Sequence, residues 1–276
     1  MRFLCSCGLA LAATLAVGLS ARASHLYALY NPKTTNQAFV TPFNNSFSDD
    51  TEDNFVANSF QTVAGGETLK SITVTYGAPF SGFPSGPGLP AGTQVTAAIY
   101  LGLSVTDPTA GGGLQRIDAS TTTVPLSATK QYFPTAFRPP FSNVPVYVQT
   151  IQLARPVTLQ PGQVFYAALL IRNVPDTVLP FFQLADLRPF GPYPPDAIEG
   201  QSFFDVGPTQ GAPYDLDNTQ NLTVLGGNHP VVFTPQSPGT LTLNVNAVSL
   251  PEPATVTLPL LACAGLALRR WRRPAA

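Results

Sequence analysis

Ser71-Ile72-Thr73-Val74-Thr75-Tyr76 and Leu241-Thr242-Leu243-Asn244-Val245-Asn246-Ala247 alternate apolar and polar side chains. Successive side chains of an extended chain point to opposite faces, so period two with one apolar face marks a half-buried β-strand. Val164-Phe165-Tyr166-Ala167-Ala168-Leu169-Leu170-Ile171 is apolar on both faces, as a covered central strand would be. Further strands are expected at Ser59–Val63, Gln94–Leu101, Thr121–Leu126, Tyr147–Leu153, Gln201–Val206 and Pro230–Thr234. Gly65-Gly66, Pro161-Gly162, Gly226-Gly227 and Pro238-Gly239 read as the turns between them. Residues 25–250 show no convincing helical period longer than two turns. Short strands bounded by turns predict an all-β fold, an antiparallel sandwich or barrel, and of these the antiparallel β-sandwich is expected.

Composition agrees. The 276 residues include 29 Pro and 22 Gly, and only 11% are charged. A Pro inside a helix costs about 3 kcal/mol, so a mainly helical chain is excluded. The low charge argues against a nucleic-acid binder and against a coiled coil. Residues 78–93, 134–145 and 187–195 are rich in Pro and read as loops. None is long or polar enough for a clean linker, which favours one domain over two.

The two ends read as addresses. Met1-Arg2, an apolar run from Phe3 to Leu19, and Ala21-Arg22-Ala23 describe a secretory signal peptide at residues 1–23, cleaved after Ala23. The domain is expected at 24–250. The remaining segment, 251–276, holds Pro251-Glu252-Pro253, an uncharged run from Ala254 to Leu268, and Arg269, Arg270, Arg272 and Arg273 around Trp271. The run predicts a single hydrophobic helix of roughly 22 Å, short of a bilayer core of roughly 30 Å, whose flanking Arg side chains can snorkel.

This order of parts, with a signal peptide at the other end, resembles the PEP-CTERM sorting signal of Gram-negative bacteria. The resemblance implies an exosortase substrate that inserts transiently in the inner membrane and loses its tail on export. It also implies a place at the cell surface or in the extracellular matrix, with exopolysaccharide and biofilm. Asn58-Ser59-Phe60-Gln61, Ser71-Ile72-Thr73-Val74, Val95-Thr96-Ala97-Ala98-Ile99-Tyr100 and Val164-Phe165-Tyr166-Ala167-Ala168 are similar to segments of jelly-roll-like exported domains.

Without its ends the chain changes character. Cys5, Cys7 and Cys263 all lie outside residues 25–250, so no disulfide or thiol chemistry is expected there. Eight basic residues then face 14 acidic ones, a net charge of −6. That balance disfavours nucleic acid and anionic lipid and tolerates cations and neutral sugars.

Catalytic signatures are missing. His25 and His229 sit in no zinc spacing, and no Gly-x-Ser-x-Gly elbow presents a serine. An acid pair of the glycosidase kind remains open among the 14 acids. Asp215-Leu216-Asp217-Asn218 offers alternating oxygens that suit Ca²⁺, and Asp49-Asp50-Thr51-Glu52-Asp53 is a weaker case. The alternative for both is a solvated loop with Asx-turns. Phe190, Tyr193 and Tyr214 are the best candidates for exposed sugar-stacking rings, against the alternative that each is a buried loop anchor. The expected function is a non-catalytic surface or matrix protein that associates with polysaccharide. Its partners in export would be signal peptidase and exosortase. The competing readings are a secreted polysaccharide hydrolase and a structural or adhesive module that binds protein.

Overall fold

The computed structural model describes residues 24–27, 40–43, 51–63, 65–76, 92–132, 145–175, 181–185, 200–206, 213–224, 239–241 and 243–250. They form fifteen strands. In chain order these are β1 (Ser24–Tyr27), β2 (Val40–Phe43), β3 (Thr51–Gln61), β4 (Glu67–Tyr76), β5 (Gln94–Gly102), β6 (Gln115–Arg116), β7 (Thr122–Pro125) and β8 (Thr129–Tyr132). They continue with β9 (Pro145–Leu159), β10 (Val164–Pro175), β11 (Phe181–Ala185), β12 (Ser202–Val206), β13 (Thr223–Val224), β14 (Gly239–Leu241) and β15 (Leu243–Ser249). The only helices among the described residues are single 3-10 turns at Ala110–Gly112 and Asp118–Ser120.

The strands make two antiparallel sheets. One runs β1-β15-β4-β9-β8, with β11 joined to the end of β4 where Phe181 opposes Tyr76, and with β2 and β14 on either side of β11. The other runs β13-β12-β3-β10-β5, with β6 and β7 sharing the far edge of β5. Consecutive strands lie in different sheets at β2–β3, β3–β4, β4–β5, β7–β8, β9–β10, β10–β11, β11–β12 and β13–β14. Four strands in the order β1-β15-β4-β9 therefore face four in the order β3-β10-β5-β7.

The core between the sheets follows from the alternation. Ile72 and Val74 of β4, Ile151 of β9 and Val245 of β15 point inward from the first sheet. Phe60, Ile99, Phe165 and Leu169 meet them from the second. Tyr27 fixes the short edge strand β1, with its ring 5.1 Å from Phe165 and 5.6 Å from Phe60. Burying a ring of this size contributes about 2–3 kcal/mol, so one side chain can hold a four-residue strand.

The second sheet is buried on its other face too. Phe55, Ala98, Tyr100, Tyr166, Leu170 and Phe203 form a second cluster there. Leu114, Tyr214 and Leu222 cover it from the loops around residues 103–121 and 213–224. This explains the uniformly apolar 164–171: Phe165, Ala167, Leu169 and Ile171 face one cluster, and Tyr166, Ala168 and Leu170 the other.

The expected all-β antiparallel sandwich is thus found, with different strand limits. β3 starts at Thr51 rather than Ser59, so Glu52 and Asp53 of the acidic run lie within the strand. β9 continues to Leu159 rather than ending at Leu153. Its pairing with β4 shifts between Leu69 and Ser71, and Ala154, Arg155 and Pro156 are exposed at that irregularity before Val157 and Leu159 return to the core. Pro230–Thr234, the signal segment 1–23 and the tail 251–276 lie outside the described residues. Among the described residues no helix is long and apolar enough to cross a membrane.

Candidate functional site

A cluster of titratable groups, Asp53, Arg172, Asp205 and Tyr214, forms where the loop 213–224 crosses the outer face of the second sheet. Tyr214 enters this face with its ring stacked on Phe55, 4.8 Å between centroids and 10° between planes. Its hydroxyl donates to Asp205 Oδ2 at 2.7 Å. Its backbone N–H donates to Asp53 Oδ2 at 2.8 Å. Asp53 also accepts from Arg172 Nη1 at 2.6 Å and from the backbone N–H of Asn173 at 3.0 Å. Arg172 Nη2 closes the ring by donating to the carbonyl of Tyr214 at 3.2 Å.

Local backbone geometry makes this clamp. The pairing of β10 with β3 shifts between Ile171 and Val174, and Asn173 takes a left-handed φ of 54°. Asn is one of the few side chains that tolerate this conformation, and it aims the Asn173 N–H at Asp53. The electrostatics follow burial. Asp205 is 3% exposed, and burial raises its pKa against the opposing pull of the Tyr214 hydroxyl. Burial, and then the Asp205 charge, push the Tyr214 phenol far above its ordinary value.

Asp215, Asp217 and Asn218 stand in the same loop. Asp215 Oδ1 accepts the Asp217 N–H at 2.9 Å, and Asn218 Oδ1 accepts the Gln220 N–H at 3.4 Å. Asp217 Oδ2 pairs with Arg116 Nη2 at 3.2 Å, while Arg116 Nε donates to Asp118 at 2.9 Å. These are Asx-turns and a surface ion-pair network, in which the oxygens serve the loop itself. Among the described residues no three His, Cys, Asp or Glu side chains cluster so as to hold a metal ion. The first acidic run contributes Asp53 to the clamp.

The aromatic candidates divide. Tyr214 is 4% exposed, with one face on Phe55, and is an anchor of its loop. Phe190 and Tyr193 lie outside the described residues. So do Ala21 and Ala23 of the signal segment and Pro251, Glu252, Pro253, Arg269, Arg270, Arg272 and Arg273 of the tail. Sequence reasoning missed Arg172, Asp205 and Tyr100, whose hydroxyl donates to the carbonyl of Leu216 at 2.9 Å. Arg172 and Asp53 are 119 positions apart, and no local pattern links them.

One accessible polar surface lies on the first sheet, and the second sheet carries an exposed hydroxyl pair of its own, Thr96 against Thr123 at 2.8 Å. The outer side of the first sheet carries Thr68 against Thr158 at 3.1 Å and Thr73 against Thr150 at 2.9 Å, hydroxyl to hydroxyl. Asn246 Nδ2 lies 3.0 Å from Ser71 Oγ and 3.1 Å from Thr73 Oγ1. Thr150 and Gln152 are exposed beside them. Lys70 and Arg155 are exposed on the same two strands, β4 and β9. The result is a face of hydroxyls and amides on β15, β4 and β9, in which Ser71, Thr75 and Asn244 are buried and Thr150, Gln152 and Thr158 are exposed.

No family model and no curated protein sequence matches the chain. In structure it is similar to the cysteine protease and lectin-like domains of Cwp84, a surface layer associated protein of Clostridium difficile, with a TM-score of 0.35 and 10% identity. The likeness covers 79% of this chain and 37% of that one.

Proposed function

We propose that the chain is an exported, non-catalytic module of the cell surface or extracellular matrix that binds polysaccharide. In the same proposal its tail inserts transiently in the membrane and is removed by an exosortase. The order β1-β15-β4-β9 against β3-β10-β5-β7 supports a jelly roll, two Greek keys wound across two sheets. Fold alone does not assign function, so the weight falls on surface chemistry.

The observation that carries the reading is the outer face of β15, β4 and β9. Its paired hydroxyls and amides supply donors and acceptors that match sugar hydroxyls, and no carboxylate of those three strands is exposed among the described residues. The acids of the 213–224 region are engaged elsewhere. Asp53 accepts three donors, Asp205 is buried on Tyr214, and Asp217 is paired with Arg116. Those engagements support a binding role over acid–base catalysis, which needs carboxylates placed to exchange protons with a substrate.

Co-sedimentation of the purified protein with the producing cells' extracellular polysaccharide tests the binding. Saturable binding is expected, and a folded protein that does not sediment with the polysaccharide overturns the reading. Loss in chelator would bring calcium, and Asp215 and Asp217, into the interaction. Intact mass of the protein from its own cells tests the processing: a mass that retains Arg269–Arg273 overturns tail removal.

A further inference from the structure

The strand register brings the two ends of the described domain together. Ser24, the residue after the expected cleavage point, pairs with Val248. Two residues later Leu250 donates its N–H to the carbonyl of Gly66 at 3.2 Å, and Pro251 follows. The segment 1–23 and the segment 251–276 therefore both join the sandwich at one pole, on neighbouring strands.

The pole is built by two turns. Thr62 N–H donates to the carbonyl of Gln163 at 3.0 Å, and Thr62 Oγ1 donates to the carbonyl of Gln160 at 2.6 Å. The turn at 160–163 is thereby fixed against the one at 63–66, and the Leu250 side chain lies over Gly66. Residues 62–66, 160–163 and 249–250 carry no charged side chain. Gln160, Pro161 and Gly162 are exposed, while the adjacent carboxylate, Glu67, is fully buried.

We infer that this pole is the surface the domain presents to a lipid bilayer while its apolar tail is still attached. The inference rests on the export and tail reading proposed above. The uncharged run Ala254–Leu268 begins four residues beyond Leu250, which leaves little chain to hold the domain away from a membrane. Four extended residues span at most about 14 Å. Residues 25–250 carry a net charge of −6, which anionic headgroups repel. Residues 24, 62–66, 160–163 and 249–250 hold no carboxylate, and cleavage after Ala23 would add the Ser24 ammonium there, so this is the end that can approach them.

The test uses residues 24–276, the chain after the expected cleavage, with Cys263 changed to Ser, reconstituted in phosphatidylcholine–phosphatidylglycerol vesicles containing a headgroup nitroxide lipid. A fluorophore is placed by Gln160→Cys or, separately, Pro161→Cys at the pole. Gln94→Cys is the distal control, because Gln94 is exposed at the opposite end of β5 from Gly102, which pairs with Val164 beside the turn. Eight residue steps along β5 set the control roughly 26 Å away. Quenching at least threefold stronger at 160 and 161 than at 94 is expected. Equal quenching, or stronger quenching at 94, in vesicle-bound protein overturns the assignment of the pole alone. Protein that does not float with the vesicles overturns both the pole and the membrane-inserted tail.

Discussion

The hydroxyl of Tyr214 donates to Asp205 at 2.7 Å, and the two side chains are the buried end of the clamp that holds residues 213–224 on the second sheet. Tyr214→Phe keeps the ring on Phe55 but leaves the buried carboxyl without this donor. A loss of about 1–3 kcal/mol is expected. Tyr214→Ala also removes the stacked ring, and about 3–5 kcal/mol is expected. Urea unfolding followed by near-ultraviolet circular dichroism measures both, and equal losses in the two variants would refute the division.

The same carboxyl makes stability depend on pH. Burial raises the Asp205 pKa above its unfolded value, so between the two values the folded state binds more protons. Stability from this group is then greatest below the unfolded carboxylate value and falls as pH rises through the raised one. Asp205→Asn removes the titration. The stability of the wild type relative to Asp205→Asn should rise as pH is lowered from 7.5 toward 4. A constant difference in unfolding midpoint across that range would show that the group does not titrate differently on folding.

Asp53 and Arg172 should be strongly coupled. The side chain of Asp53 is 8% exposed and that of Arg172 37%, with 2.6 Å between Oδ2 and Nη1. Asp53→Ala strands the Arg172 guanidinium and the N–H groups of Asn173 and Tyr214, and a cost of about 2–4 kcal/mol is expected. Arg172→Met should cost less, because Asp53 keeps two backbone donors. A double-mutant cycle should give a coupling of roughly 1–3 kcal/mol, and additive losses would place the energy in the backbone contacts instead.

Much of the sheet framework was legible in the sequence because alternation is local. Ile72 and Val74, and Leu243 and Val245, state their own inward face, and the apolar 164–171 states that both faces are covered. The identity of the cover was not legible. Tyr214 and Leu222 reach that face only through a loop whose acids read as solvent-exposed, and the clamp under it joins Asp53, Arg172 and Tyr214 across more than 100 positions of sequence. The strand limits of β3 and β9 were hidden for a related reason. Charge at 52–53 and Pro156 are tolerated at a strand end and at a register shift, places that only the partner strand defines.

The outer face of the first sheet offers a test in which fold and function separate. Thr150 and Gln152 are exposed on β9, and neither contributes to the core. Thr150→Ala with Gln152→Ala should leave the unfolding free energy within about 0.5 kcal/mol of wild type, as for surface changes in general. The same pair should weaken co-sedimentation with polysaccharide at least fivefold. Unchanged binding would move the contact off this face.

Two glycines with the same handedness should respond differently to the same substitution. Gly66 has φ +73° and Gly92 has φ +85°, so Ala is strained at either, by about 1–2 kcal/mol. A Cβ on Gly92 would meet nothing among the described residues within 4 Å, and the strain is the expected effect. A Cβ on Gly66 would lie 2.8 Å from the carbonyl oxygen of Leu159, which is backbone and cannot turn aside. It would also press on Pro161 and Leu250, at 3.2 and 3.3 Å. Forcing a packed backbone apart costs about 1–3 kcal/mol more, so Gly66→Ala should lose roughly 2–5 kcal/mol in total. The contrast bears on the pole as well as on the turn. The Gly66 carbonyl accepts from Leu250, the last residue before the tail, so a shifted turn should also loosen the end of β15. Hydrogen exchange at the Leu250 amide should accelerate in Gly66→Ala beyond the change in global stability and stay in step with it in Gly92→Ala. Equal melting shifts for the two variants would mean that the turns at 63–66 and 160–163 are not packed as tightly as the Gly66 contacts require.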